Sequence, residues 1–134
     1  DKEKSEQAYR LAARGEFNLS SAMYYNDQPP QMMYYSAKAI EALGDKDEAK
    51  KRFNAFIEYA NNHMNDEMKI DYFAVSLPDF LIFEGDLNKN NKVHCNLMAA
   101  LGYLGIGDND NAQKYAKQGL ELNQCHAELR DIVK

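Results

Sequence analysis

From Ser36 to Tyr59 the chain reads SAKAIEALGDKDEAKKRFNAFIEY, and its apolar positions form two helical stripes separated by one glycine. Ala37, Ile40 and Leu43 recur at the spacing of one helix face. Gly44 then stands where a residue in the left-handed conformation would end that helix. Asp45 is placed to cap the next helix, with Glu48 three residues on to complete a capping box. Ala49, Phe53, Phe56 and Ile57 continue as the buried face of that second helix. The pattern predicts two antiparallel helices joined by a tight glycine turn.

The same order of residues returns in AALGYLGIGDNDNAQKYAKQGLELN. Ala99, Ala100 and Tyr103 precede Gly107, and Ala112, Ala116 and Leu120 follow it. In both segments a small residue lies five positions after the turn glycine, which lets the two helices approach closely. A weaker copy begins the chain: Ala8 and Leu11 precede Gly15, Ser20 and Tyr24 follow, and Pro30 suits the first turn of the next helix. One such hairpin cannot bury its own apolar face, so the hairpins are expected to stack.

Gly44 and Gly107 are 63 positions apart, just under two repeats of about 34 residues. A degenerate repeat is therefore expected between them, centred on DYFAVSLPDF, residues 71–80. Ile70, Phe73, Ala74, Leu77 and Phe80 or Leu81 keep helical spacing across Pro78, so Pro78 marks either a kink or a turn. Asp79 then reads as a cap or first-turn acid. The whole chain reads as one helical-repeat domain: a weak hairpin at about 1–30, a repeat at 31–62, the degenerate repeat at 63–88, a repeat at 89–123, and a closing helix at 124–134.

Gly44, Ala49 and Phe53 in one copy, and Ala100, Tyr103, Gly107, Ala112 and Leu120 in the other, resemble the tetratricopeptide repeat (TPR). The chain departs from that family's pattern in having no tryptophan, Ala116 in place of an aromatic, and Gln124 where a proline is usual. From about residue 31 to 122 it also resembles the carboxy-terminal repeat region of large bacterial TPR proteins, whose upstream part is β-rich and suggestive of carbohydrate-active enzymes. The resemblance implies an all-α fold, a TPR-like right-handed superhelix of stacked antiparallel hairpins, and a function in binding proteins or peptides. In that family the first helix of each hairpin lines a concave groove. Carried over, this gives Tyr34, Tyr35, Lys38, Met68, Tyr72, Leu97 and Met98 as groove residues. The Lys/Asn clamp that some members use on a peptide's terminal carboxylate is not matched, because Tyr34 and Lys38 occupy those places. No catalytic residue is carried over, and no cofactor is implied.

Composition narrows the picture further. At 134 residues the chain can bury a core without disulfides or metal. Net charge is −5, and the densest basic cluster, Lys50-Lys51-Arg52, sits beside Asp45, Asp47 and Glu48. That arrangement is a solvated helix face rather than the basic stripe of a nucleic-acid binder. No apolar run approaches the roughly 20 residues that cross a bilayer. The chain begins at Asp1 without a methionine, as a processed or excised piece would, and its compartment is left open. Nine tyrosines make it rich in the residue that offers both apolar area and a hydroxyl to a partner.

Two constellations invite a chemical reading. Asp71, Asp79, Glu84 and Asp86 contain the carboxylates of a glycosidase pair, but nothing in the pattern builds the sugar cleft such a pair must flank. His94-Cys95 and Cys125-His126 form a mirrored set of metal ligands. Adjacent helical residues point about 100° apart, so one residue from each pair would have to meet. Buried cysteine as a small hydrophobe is the simpler reading. The expectation is a non-enzymatic module with an unidentified protein or peptide partner; packing on a longer chain, or self-association, is the alternative.

Overall fold

The computed structural model describes residues 2–13, 30–66 and 84–133, with the backbone alone for 84–87. Among the described residues six helices pack on one another: α1 (Lys2–Ala13), α2 (Pro30–Ala42), α3 (Lys46–His63), α4 (Glu84–Gly105), α5 (Asn109–Leu122) and α6 (Ala127–Ile132). The described residues contain no strand. Pro30 opens α2, where its fixed φ suits a helix and its missing N–H has no partner to lose.

Two turns set the path of the chain, and they are built alike. At the end of α2 the Asp45 N–H donates to the Ile40 carbonyl at 3.2 Å, and the Gly44 N–H to Glu41 at 3.0 Å, with Gly44 at φ +101°. At the end of α4 the Asp108 N–H donates to Tyr103 at 2.9 Å, and the Gly107 N–H to Leu104 at 3.2 Å, with Gly107 at φ +84°. Both are Schellman closures, in which a left-handed residue turns the chain while satisfying the helix's last carbonyls. The aspartate that ends one helix also caps the next. Asp45 Oδ1 accepts from the Glu48 N–H at 3.1 Å, and Asp108 Oδ1 from the Asn111 N–H at 3.2 Å. The capping box expected at Glu48 is thus only half made. The Asp45 N–H is already committed to Ile40, and Glu48 Oε1 accepts instead from Arg52 Nε at 3.1 Å.

The hairpins α2–α3 and α4–α5 stack directly: α3 lies along α4, and α2 also touches α4. Met33, Ala37 and Ile40 of α2, Phe53, Phe56 and Ala60 of α3, and Cys95, Met98 and Ala99 of α4 form one core cluster. The opposite side of α4 supplies Val93, Leu97, Ala100 and Leu101 to a second cluster with Ala116, Leu129 and Ile132. A helix that is apolar on two sides belongs in the middle, and α4 is contacted by α2, α3, α5 and α6. Burial of each large side chain such as Phe53, Phe56 or Met98 stabilises the fold by about 1.5–3 kcal/mol.

Small residues set the spacing. Ala49 and Ala112, five positions after their turn glycines, are fully enclosed. A methyl group at Gly102 would lie 2.7 Å from both Ile57 Cγ1 and the Phe53 carbonyl oxygen, and one at Gly105 would overlap the Phe53 ring. Polar ties fix the ends. Asn91 Nδ2 of α4 donates to the His63 carbonyl at the end of α3 at 2.7 Å, and Gln113 Nε2 of α5 to the Ile132 carbonyl at the end of α6 at 2.7 Å.

The degenerate repeat and Pro78 fall largely on residues 67–83, outside the described residues, as does the Gly15 turn of the first hairpin. The boundaries expected at 62/63 and 88/89 do not divide elements: His63 is the last residue of α3, and α4 runs unbroken from Glu84. In α1, Ala8 and Leu11 are exposed and no residue is buried, although the helix packs on α2. Among the described residues no helix is long and apolar enough to cross a membrane.

Candidate ligand-binding cleft

A stripe of α2 side chains at helical spacing, Gln31, Tyr34, Tyr35, Lys38 and Glu41, lines a cleft, with Tyr34 also packed on both core clusters. At the amino-terminal end of the stripe, Tyr34 and Tyr35 meet Leu101 and Leu104 of α4 and Ile132 of α6 around a hollow of about 300 Å³. Glu128 and Asp131 of α6 close its rim. A second hollow, of about 550 Å³, lies between Ala8, Tyr9 and Ala12 of α1 and the face of α2 carrying Tyr35 and Lys38. A third, of about 460 Å³, lies where the two glycine turns come together, lined by Lys38, Lys46, Lys50, Phe53, Leu104 and Gly107. The three share walls: Tyr35 belongs to the first and second, Leu104 to the first and third, and Lys38 and Lys46 to the second and third.

The tyrosines are held differently. Tyr34 is half-buried with its ring 5.7 Å from Phe53 and 5.4 Å from Tyr35. Burial, reinforced by Tyr35 and Glu41, raises its pKa above the usual phenol value, so it presents a neutral hydroxyl. Tyr35 is 62% exposed, and its ring stands open to the cleft. Lys38 Nζ lies 3.3 Å from Glu41 Oε1 and 6.0 Å from the centre of the Phe53 ring, which anchors the ammonium along the cleft wall.

Of the other groove residues expected from the sequence, Leu97 and Met98 are buried, at 4% and 0% exposure, in the two core clusters. Packing from both sides of α4 takes up that part of the helix. The cleft wall is supplied one to two turns later by half-buried Leu104 and the edge of Leu101, itself 5% exposed and part of the second core cluster. Met68 and Tyr72 lie outside the described residues. Leu101 and Leu104 carried a sequence signal, since they continue the helical face of Leu97; Glu128 and Asp131 carried none, because only the packing of α6 brings them to α2.

The mirrored His/Cys pairs are split by the fold. Cys95 is buried, and its thiol pKa is pushed up to about 12, first by burial and then by Asp66, so the thiolate a metal needs is strongly disfavoured. Cys125 is exposed. Burial and then the charge of His126 lower the His94 pKa, and the His94 ring meets Tyr59 edge-on at 6.1 Å. His126 instead caps α6, its Nδ1 accepting from the Leu129 N–H at 3.4 Å and lying 3.2 Å from Glu128 Oε2. Among the described residues no group of three or more His, Cys, Asp or Glu side chains is placed to hold an ion. Of the four carboxylates weighed for glycosidase chemistry, Asp71 and Asp79 are outside the described residues and Glu84 and Asp86 are described only by backbone.

Compared with known proteins, the chain matches no family model and no solved structure.

Proposed function

We propose that the chain is a non-catalytic, TPR-like module of stacked helical hairpins that binds a segment of another protein in the cleft along α2. Two hairpins closed by the same glycine–aspartate turn support the repeat reading. The observation that carries the functional reading is the cleft's make-up. An exposed tyrosine, a half-buried tyrosine and the half-buried Leu104 offer apolar area, and the hydroxyls and charged rim offer orientation. Its linear course along one helix suits an extended or helical peptide better than a compact metabolite.

Selection of random peptides displayed on phage tests this directly. The expected result is an enriched sequence class whose binding falls at least about tenfold on Tyr35→Ala, a surface change that leaves the fold intact. Selected peptides that bind Tyr35→Ala and the parent equally would contradict the placement, and failure to enrich any class would contradict the function.

A second reading rests on the α1 end of the stack. Leu11 of α1 is 64% exposed, and Met32 of α2, one turn before Tyr35, is 57% exposed; both are apolar surface suited to a further hairpin or a second copy. Sedimentation equilibrium of the parent and Leu11→Glu measures the second of these: a dimer abolished by the substitution favours self-association, and a monomer in both contradicts it.

A further inference from the structure

The cleft is electrically polar along its length, and we infer that its occupant is a short segment of opposite polarity: a basic side chain at the α6 end, apolar residues in the middle, and an acidic side chain at the turn end. The inference rests on the proposed cleft function and adds the chemistry of the ligand and the placing of its charges.

The hollow at the amino-terminal end of α2 is lined by two carboxylates, Glu128 and Asp131, and by no lysine or arginine. The hollow at the turns is lined by three lysines, Lys38, Lys46 and Lys50, and one carboxylate, Glu41. Lys38 is paired with Glu41, which leaves the charges of Lys46 and Lys50 uncompensated within that hollow. Neither has an ion-pair partner among the described residues. Lys46 is the first residue of α3, where the helix dipole adds to its positive field, and Lys50 follows one turn later; the neighbouring Asp45, Asp47 and Glu48 moderate both. Between the two ends the wall is Tyr35 and Leu104, which join the hollows. From Gln31 to Ala42 the cleft follows about 16 Å of α2 at 1.5 Å per residue, which an extended peptide of about five residues spans.

A segment laid there with matching charges gains two attractive contacts in one direction and two repulsive ones in the other. Exposed pairs are individually weak and screened by salt, so the effect is one of orientation and selectivity more than of total affinity.

The test uses synthetic peptides of about seven residues with both termini blocked: two arginines, then Leu-Phe-Leu, then two glutamates; the same peptide reversed; a version with glutamine in place of every charge; and an all-arginine-ended version. Binding is followed by fluorescence anisotropy at low salt. Both bipolar peptides, each running in the direction that matches its charges, are expected to bind roughly three- to tenfold tighter than the uncharged one. The preference should shrink at high salt. It should pass to the all-arginine-ended peptide in the variant carrying Lys46→Glu and Lys50→Glu, whose cleft is acidic at both ends and whose two altered side chains are exposed in the parent. Equal binding of both directions and of the uncharged peptide, all lost on Tyr35→Ala, would overturn the polarity while leaving the cleft in place. Tightest binding by the all-arginine peptide would overturn it too, by removing any role for the lysines. Binding by none of the four would count against polarity and cleft together.

Discussion

Gly105→Ala is the substitution in which two effects of similar size oppose each other, and the structure decides between them. Alanine is preferred over glycine in a helix by about 1 kcal/mol, and less at the last helical position, which Gly105 occupies. Against this, the new methyl group would fall on the Phe53 ring and crowd three of its atoms at once. Phe53 is 1% exposed, and Tyr34 stands 5.7 Å from its ring, so it has little room to move aside. Overpacking a filled core costs typically about 1–3 kcal/mol. The clash therefore wins, and a net loss of about 1–2 kcal/mol is expected. In a chain of this size each kcal/mol lowers Tm by roughly 3–6 °C. Urea unfolding of the parent, Gly105→Ala, Phe53→Leu and the double variant measures it. The smaller leucine should relieve the crowding, so the double variant should be more stable than the two single losses predict, by at least about 0.5 kcal/mol. A Gly105→Ala protein as stable as the parent, or strict additivity in the cycle, would refute the close approach of α3 to α4 from which the loss is derived.

The other expectations concern the turns, the buried histidine and the closing helix. Gly44→Val should destabilise by about 1–2 kcal/mol in thermal unfolding, and through backbone strain alone, since φ is +101° and a Cβ there meets nothing within 4 Å. An unchanged Tm would contradict the left-handed turn. His94 is held below its ordinary pKa of 6.5, so the folded protein binds fewer protons than the unfolded chain as the pH falls through that value. The stability this contributes is present above about pH 6.5 and lost on acidification. His94→Gln should flatten that part of the Tm–pH curve, and an unchanged slope would contradict the burial of the ring. Leu129→Ala removes a fully enclosed side chain that packs on Gly119 and should cost about 2–5 kcal/mol in urea unfolding. It should also weaken peptide binding, because α6 carries one wall of the cleft; full-strength binding in a folded Leu129→Ala protein would contradict that wall.

What the sequence made legible was local. The glycine–aspartate turns and the alanines five residues beyond them are encoded within a few positions, and the backbone conformation and hydrogen bonds follow from those residues directly. The start of α4 was less legible, since EGDLNKNNK is polar and carries no apolar stripe, yet it continues into the helix that holds both core clusters together. Leu97 and Met98 look like any apolar helical pair; only contact of α4 by four other helices makes them interior. The acidic rim depends on α6, a six-residue helix whose place is set by Leu129 and Ile132 meeting residues far earlier in the chain. Tyr34, Tyr35 and Lys38 could be named from the family likeness, but their difference in exposure comes from Phe53 and Leu101, which no local pattern ties to them.

The most direct measurement is backbone amide chemical-shift mapping of the isotope-labelled chain during titration with a phage-selected peptide. The account predicts saturable shifts concentrated at Tyr35, Lys38, Leu101, Leu104 and Asp131, along one path across α2, α4 and α6. Shifts clustered instead on the outward side of α5, around Lys114 and Lys117, with the α2 stripe unmoved, would contradict it.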